Sequence, residues 1–174
     1  IKKFIYFSTI HVYGSILSKN YKENSILLNK HPYAKTNQLA EKYLKKLSFN
    51  SKNTLFLILR LSNAFGFPIT LKSNSWKLLI NEMVKKLIKN KRFNLRSSGY
   101  QKRDFIPVSE VCNVVNFFLN RENKKKQNYE IYNISTGRSL SIRKIADIVK
   151  KLLEKKSKSK FNIYFKKYKE NEKI

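Results

Sequence analysis

Apolar residues along the chain fall into two kinds of run. Short, nearly unbroken blocks occur at KFIYFS (3–8), TLFLILRL (54–61) and YEIYNIS (129–135). Blocks of that length read as strands buried on both faces of a parallel sheet. Elsewhere apolar residues recur every three or four positions, which predicts helices over 32–49, 76–89, 109–121 and 141–155. RFNLRS (92–97) alternates as a strand does, SGYQKRDFIPV reads as loop and short strand, and FNIYFK (161–166) as a final strand. NAFGFP, RENKKKQN, STGRS and KSKSK read as connections. Pro32 suits the first turn of its helix, where its missing N–H is not needed. Ser109 and Ser141 stand where side-chain caps belong. On the first helix Leu39, Tyr43, Leu44 and Leu47 are expected to form the buried face. On the third, Cys112 is expected to pack with Val111, Val115, Phe118 and Leu119.

Strands alternating with helices argue for an α/β fold with a parallel sheet. In such folds ligands gather at the carboxyl ends of the strands. The sets Ser8-Thr9, Arg60-Leu61-Ser62-Asn63 and Ser135-Thr136-Gly137 directly follow strands, and are expected to converge on one rim.

Composition changes this picture little. A chain of 174 residues, 41% hydrophobic, suits one domain or one and a piece. No apolar run is long enough for a membrane-spanning helix. The opening IKKFIYFST starts within a strand and without an initiator Met, so the chain is expected to be a fragment of a longer protein. The net charge of +27 would by itself suggest nucleic acid or an anionic membrane. The lysines, however, are scattered through every segment, and Lys, Asn and Ile share A/T-rich codons, so solvated faces account for the charge. The aromatics lie in strand-like runs rather than on stacking platforms. No nucleic-acid or membrane partner is expected. A single cysteine permits no internal disulfide and no metal cluster, and fits a reducing cytoplasm.

The candidate chemistry centres on Thr9 and Tyr33. A tyrosine with its usual pKa near 10 is a poor base at neutral pH, and a nearby positive charge favours its phenolate. A Ser or Thr hydroxyl can hold a substrate oxygen beside it. Together they can move a proton on or off an alcohol or carbonyl oxygen while a cofactor takes the hydride.

Five segments, in order, resemble the extended short-chain dehydrogenase/reductases, the NAD-dependent epimerase/dehydratase family that acts on nucleotide sugars. FIYFSTIHVYG is similar to that family's strand into a Ser/Thr-x-x-VYG stretch, and HPYAKTNQLAEKYL to its PYxxSKxxAE helix. LRLSNAFG, SSGYQKRDFIPVSEV and YNISTG resemble its R-x-x-N-x-x-G, G-x-Q-x-RDFI and YNIGSG segments. The resemblance implies the second half of a Rossmann-type parallel sheet, 1–62, and a smaller substrate-binding α/β domain, 63–174, interleaved around 104–137. It implies NAD or NADP as cofactor and a nucleotide-diphospho-sugar as substrate. Tyr33 would be the base and acid, and Thr9 the orienting hydroxyl. Ser8, Tyr33 and Asn37 would meet the cofactor, while Asn63 and Arg103 would hold the substrate. A homodimer through helices 32–49 and 76–89 is also implied.

Three departures bear on the activity. Asn37 stands where the family has Lys and carries no charge. Ile10-His11 stands where the family's dehydratases carry an acidic pair, which argues against 4,6-dehydration and for epimerisation or simple oxidation and reduction. The family's upstream glycine-rich motif is absent from these residues, so the isolated chain is expected to bind dinucleotide poorly and to be inactive. The rival readings are a non-catalytic nucleotide binder, supported by Asn37, and a basic nucleic-acid module.

Overall fold

The computed structural model describes residues 1–14, 20–122 and 128–167. It divides into two compact units, Ile1–Ala64 with Ile106–Thr136 and Phe65–Phe105 with Gly137–Ile174. The chain therefore leaves the first unit after Ala64, builds part of the second, returns, and leaves again.

In the first unit β1 (Lys3–Thr9), β2 (Leu55–Leu61) and β6 (Tyr129–Ile134) form a parallel sheet in the order β1-β2-β6. The stretch LFLIL (55–59) is apolar throughout because both of its faces are covered. Leu55, Leu57 and Leu59 pack with Val111 and Phe118 of α3 (Val108–Asn120), while Phe56 and Ile58 pack with Leu44 of α1 (Pro32–Phe49). Alternation along one strand thus feeds two cores. β1 and α1 are joined through a short 3-10 turn at Ile10–Val12, which Thr9 caps by accepting from the His11 N–H.

In the second unit α2 (Leu79–Asn90) and α4 (Ile142–Ser157) enclose a core of Met83, Leu87, Phe93, Leu95, Ile142, Ala146 and Phe161. Phe93 and Leu95 come from β4 (Arg92–Leu95), which pairs in parallel with β8 (Asn162–Phe165). β5 (Lys102–Pro107) begins here and pairs antiparallel with β7 (Ser139–Ser141).

The α/β class and its parallel sheet are as the hydrophobic pattern predicts. Several local expectations are corrected. The buried face of α1 is Ala34, Asn37, Glu41, Leu44 and Ser48. Leu39, Tyr43 and Leu47 are 65%, 62% and 37% exposed, because the polar residues of the inward face find partners on the sheet and the helix turns accordingly. Cys112 is exposed; Val111 and Phe118 occupy the inward face, and Cys112 lies one position round the helix, lining an apolar groove with Phe7, Leu61 and Val108. Ser109 does not cap α3, which starts one residue earlier with Pro107 at the cap and no side-chain bond there. Ser141 does cap α4, accepting from the Lys144 N–H at 3.2 Å. NAFGFP contains a short strand, β3 (Asn63–Phe65), and α2 starts only after a 3-10 turn at Asn74–Lys77. The charged loop RENKKKQN lies partly outside the described residues, at 123–127. Among the described residues no helix is long and apolar enough to cross a membrane.

Candidate active site

The parallel register places Ser8, Arg60 and Asn133 opposite one another across the three strands, one residue from where β1, β2 and β6 end. All three are polar residues near the ends of largely apolar strands. They share the face covered by α1, and a buried arginine there requires a buried partner. Glu41, on the inward face of α1, supplies it. One carboxylate oxygen accepts from Arg60 Nε at 2.9 Å and from the Ser8 hydroxyl at 2.5 Å; the other accepts from Arg60 Nη2 at 2.5 Å. Both side chains of this ion pair are almost wholly buried.

Arg60 Nη1 extends the network, donating to the Tyr13 hydroxyl at 2.6 Å and to the Glu23 carbonyl at 3.0 Å. Tyr13 in turn donates to Asn133 Oδ1 at 2.7 Å and stacks on Tyr21, ring centroids 4.8 Å apart. Asn133 donates from its main chain to the Glu23 carboxylate at 2.9 Å. The network therefore folds the segment around 20–25 back over the strand ends. Burial alone would lower the Arg60 pKa, but its bonds to Glu41 and Tyr13 hold it above the ordinary value. Burial raises the Tyr13 pKa despite the opposing Arg60 guanidinium.

Thr9, the residue after Ser8, is buried at the end of β1, and its oxygen accepts from the His11 N–H at 3.2 Å. Its O–H has no partner among the described residues. Tyr33 lies in the first turn of α1 and is 56% exposed. Its ring meets the His11 ring edge-on at 6.4 Å, and its N–H donates to Nδ1 of His31, the residue that caps the helix, at 3.3 Å. His11 thus links the neighbourhoods of Thr9 and Tyr33.

Asn37, one turn after Tyr33, is buried. Its amide donates to the Tyr33 carbonyl at 2.9 Å, and its Oδ1 accepts from the Tyr6 hydroxyl at 3.0 Å. Burial, then the charges of Glu41 and Tyr33, raise the Tyr6 pKa, so Tyr6 stays a donor to Asn37. Ser62, just past β2, buries a hydroxyl without a partner among the described residues. Such an orphan costs about 1–3 kcal/mol until something meets it.

The first unit thus contains Ser8, Thr9, Tyr33, Asn37 and Asn63, the last half-buried at the start of β3. Arg103 belongs to the second unit, on β5 opposite Leu140 of β7. Its neighbour Asp104 turns inward and accepts from the Arg138 N–H at 3.0 Å. Sequence reading singled out neither Glu41 nor Tyr6, read Tyr13 as turn architecture, and placed Arg60 on the expected rim without a partner. The available signal was charge out of place: an arginine inside an apolar strand and a glutamate on a helix's inward stripe. Among the described residues no group of three or more His, Cys, Asp or Glu could hold a metal ion.

Residues 1–135 match the model of the NAD dependent epimerase/dehydratase family. The human dTDP-D-glucose 4,6-dehydratase is 31% identical over 163 residues, which cover 91% of this chain and 43% of the human protein. Among solved structures, the UDP-N-acetylglucosamine 4-epimerase from Methanobrevibacter ruminantium M1, in complex with UDP-N-acetylmuramic acid, superposes with a TM-score of 0.77 at 26% identity, over 96% of this chain and 51% of that one. The dTDP-glucose 4,6-dehydratase from Bacillus anthracis str. Ames, in complex with NAD, shares the fold with a TM-score of 0.72 at 22% identity, over 95% of this chain and 52% of that one. The chain spans about half the length of these relatives, or less.

Proposed function

The chain belongs to the NAD dependent epimerase/dehydratase family, and on that premise we propose that the complete protein carries out NAD(P)-linked redox chemistry at a sugar carbon of a nucleotide-diphospho-sugar, as an epimerase or a dehydrogenase/reductase. The observation that carries this reading is the pairing of Thr9 at the end of β1, whose O–H has no partner among the described residues, with an accessible Tyr33 on the first turn of α1, joined through His11.

The donor set fits a nicotinamide ribose. Tyr33 presents its ring to solvent, Asn37 has one amide hydrogen beyond that given to the Tyr33 carbonyl, and Ser62 buries a hydroxyl in want of a partner. When bound, the cofactor supplies the hydride acceptor and a positive charge near the phenol. Thr9 donates its O–H to the substrate oxygen and fixes its orientation. Tyr33 removes the proton from that oxygen at its phenolic oxygen, and returns it in the reverse direction. Ser8 meets the cofactor through its main chain, its hydroxyl being committed to Glu41. Asn63 and Arg103 hold the nucleotide diphosphate, guanidinium being suited to phosphate oxygens. The turn after Thr9 carries Ile10 and His11 and no carboxylate, so the acid needed to eliminate water is missing there. This favours epimerisation or oxidation and reduction over 4,6-dehydration.

In the complete protein, Tyr33→Phe is expected to lower turnover of sugar nucleotides by about 100-fold or more while cofactor binding persists. Unchanged turnover would overturn the assignment. Asn37→Lys should raise turnover about 10- to 100-fold, the equivalent of about 1.4–3 kcal/mol of phenolate stabilisation. The rival, a binder without turnover, is favoured by one observation: the Asn37 side chain is engaged with Tyr6 and the Tyr33 carbonyl and brings no charge to the phenol. A wild type that binds NAD(H) yet transfers no hydride on any of a panel of sugar nucleotides, with activity appearing in Asn37→Lys, would select it.

A further inference from the structure

Outside the strand-end network, a further side-chain arrangement surrounds Arg143, the second residue of α4. Its guanidinium contacts two rings, 4.5 Å from the centroid of Tyr100 and 4.3 Å from that of Phe165. Its Nε donates to the Ser98 carbonyl at 2.7 Å, and its main-chain N–H to the Gly99 carbonyl at 3.0 Å. The preceding residue, Ile142, donates to the Gln101 carbonyl at 3.1 Å. Three successive stations of the segment 98–101 are thus held from the start of one helix, and Arg143 makes two of the bonds. Gly99 completes the fit. Its φ is +78°, and a Cβ there would stand 3.0 Å from Arg143 Cγ and 3.1 Å from Leu95 Cδ2 and Phe165 Cδ1. Gln101 closes the turn on itself by donating to the Ser97 hydroxyl at 3.1 Å.

This segment leads directly into β5, and the ladder to β7 begins at Lys102 opposite Ser141 and continues at Arg103 opposite Leu140. Arg103 is therefore two residues beyond the last station held by the start of α4. A planar guanidinium held against two rings and bonded at its edge fixes a loop far better than a flexible ammonium would.

We propose that Arg143 is the positioning residue for Arg103, the clamp that sets the direction in which Arg103 presents its guanidinium to a nucleoside diphosphate. The inference rests on the reading of Arg103 as the diphosphate contact. Arg143 itself need not touch the ligand. Its stacking and its Ser98 bond hold the segment 98–101, so that Arg103 starts from a fixed main chain. Arg103 is then pre-organised, and binding need not include the ordering of that segment.

The test uses the complete protein and measures dissociation constants for UDP and dTDP by calorimetry, together with steady-state KM and kcat for sugar nucleotides. The variants are Arg103→Met, Arg143→Met and the double variant. Arg143→Lys is included as a milder change should Arg143→Met fail to fold. The expected result is that Arg143→Met weakens diphosphate binding about 10-fold, with KM rising in step and kcat held within about 2-fold. Arg143→Lys should fall between wild type and Arg143→Met. Because Arg143 acts through Arg103, the double variant should bind no more weakly than Arg103→Met alone, a non-additivity that general loss of packing would not produce. If Arg103→Met weakens binding while Arg143→Met does not, or if the two effects multiply, the positioning role is wrong and the Arg103 reading stands. If Arg103→Met leaves binding unchanged, the Arg103 reading fails and takes the Arg143 role with it.

Discussion

Glu41 and Arg60 carry opposite charges out of reach of water, and each is tolerable there chiefly because of the other. Removing one leaves a buried charge that water cannot reach. Glu41→Leu or Arg60→Leu alone should destabilise the protein by about 3–5 kcal/mol, and the double substitution by less than the sum, since it removes both desolvation costs. Denaturant midpoints through a double-mutant cycle check this; strict additivity would contradict it. Tyr129, whose hydroxyl donates to the Glu41 carbonyl at 3.3 Å, has its pKa raised to about 12, chiefly by burial and then by the Glu41 charge. A folded-state value above the ordinary one means that the unfolded chain loses the proton first. The associated stability is intact below pH 10 and is lost as the pH rises towards about 12. Tyr129→Phe should flatten that alkaline limb relative to wild type; thermal melts across pH 9 to 12 measure it. At this scale Thr9, Tyr33 and Asn37 are proposed as site residues from contiguous motifs. The partner of Glu41 was not legible in the sequence, because Arg60 is 19 positions away and meets it only through strand order and register.

The helices show what local pattern can and cannot say. Each of the four was visible from its spacing of apolar residues, and Ser141 was visible as a cap because its side chain reaches an N–H three residues on, a distance set by the helix alone. Ser141→Ala should cost about 0.5–2 kcal/mol, whereas Ser109→Ala, already inside α3 and capping nothing, should change stability by less than about 0.5 kcal/mol; melting temperatures of the two variants separate them. The inward face of α1 was misread for a different reason. Hydrophobicity favours Leu39, Tyr43 and Leu47, but Asn37, Glu41 and Ser48 lie on the stripe that reaches the sheet. Tyr6, Ser8 and Arg60 satisfy two of them there, and a satisfied polar residue can take a buried place. Cys112 was misassigned by the same one-position ambiguity in a helix rich in apolar residues.

At the scale of the whole molecule, the outward face of α1 leaves Leu39, Tyr43 and Phe49 exposed in a series along one helix. If the complete protein forms the homodimer expected from the family resemblance through this helix, these residues are where the contact would lie. Leu39→Glu combined with Tyr43→Glu should then shift the complete protein towards monomer in sedimentation equilibrium; an unchanged mass would exclude α1 as the interface. Each of the two units is made from two separate stretches of chain. The residues proposed to do chemistry belong to one unit, and Arg103, proposed to hold the diphosphate, belongs to the other.

The sequence by itself determined the four helices, the three strands of the parallel sheet, the α/β class and the family, because periodicity and contiguous motifs are local properties that survive without coordinates. Tertiary structure alone decided which helix faces are buried, where the charges of Glu41 and Arg60 are neutralised, and how Arg143 holds the segment before Arg103. Those depend on strand register and on contacts between residues far apart in the chain. Their free energy exists only once the backbone has brought the partners within hydrogen-bonding distance.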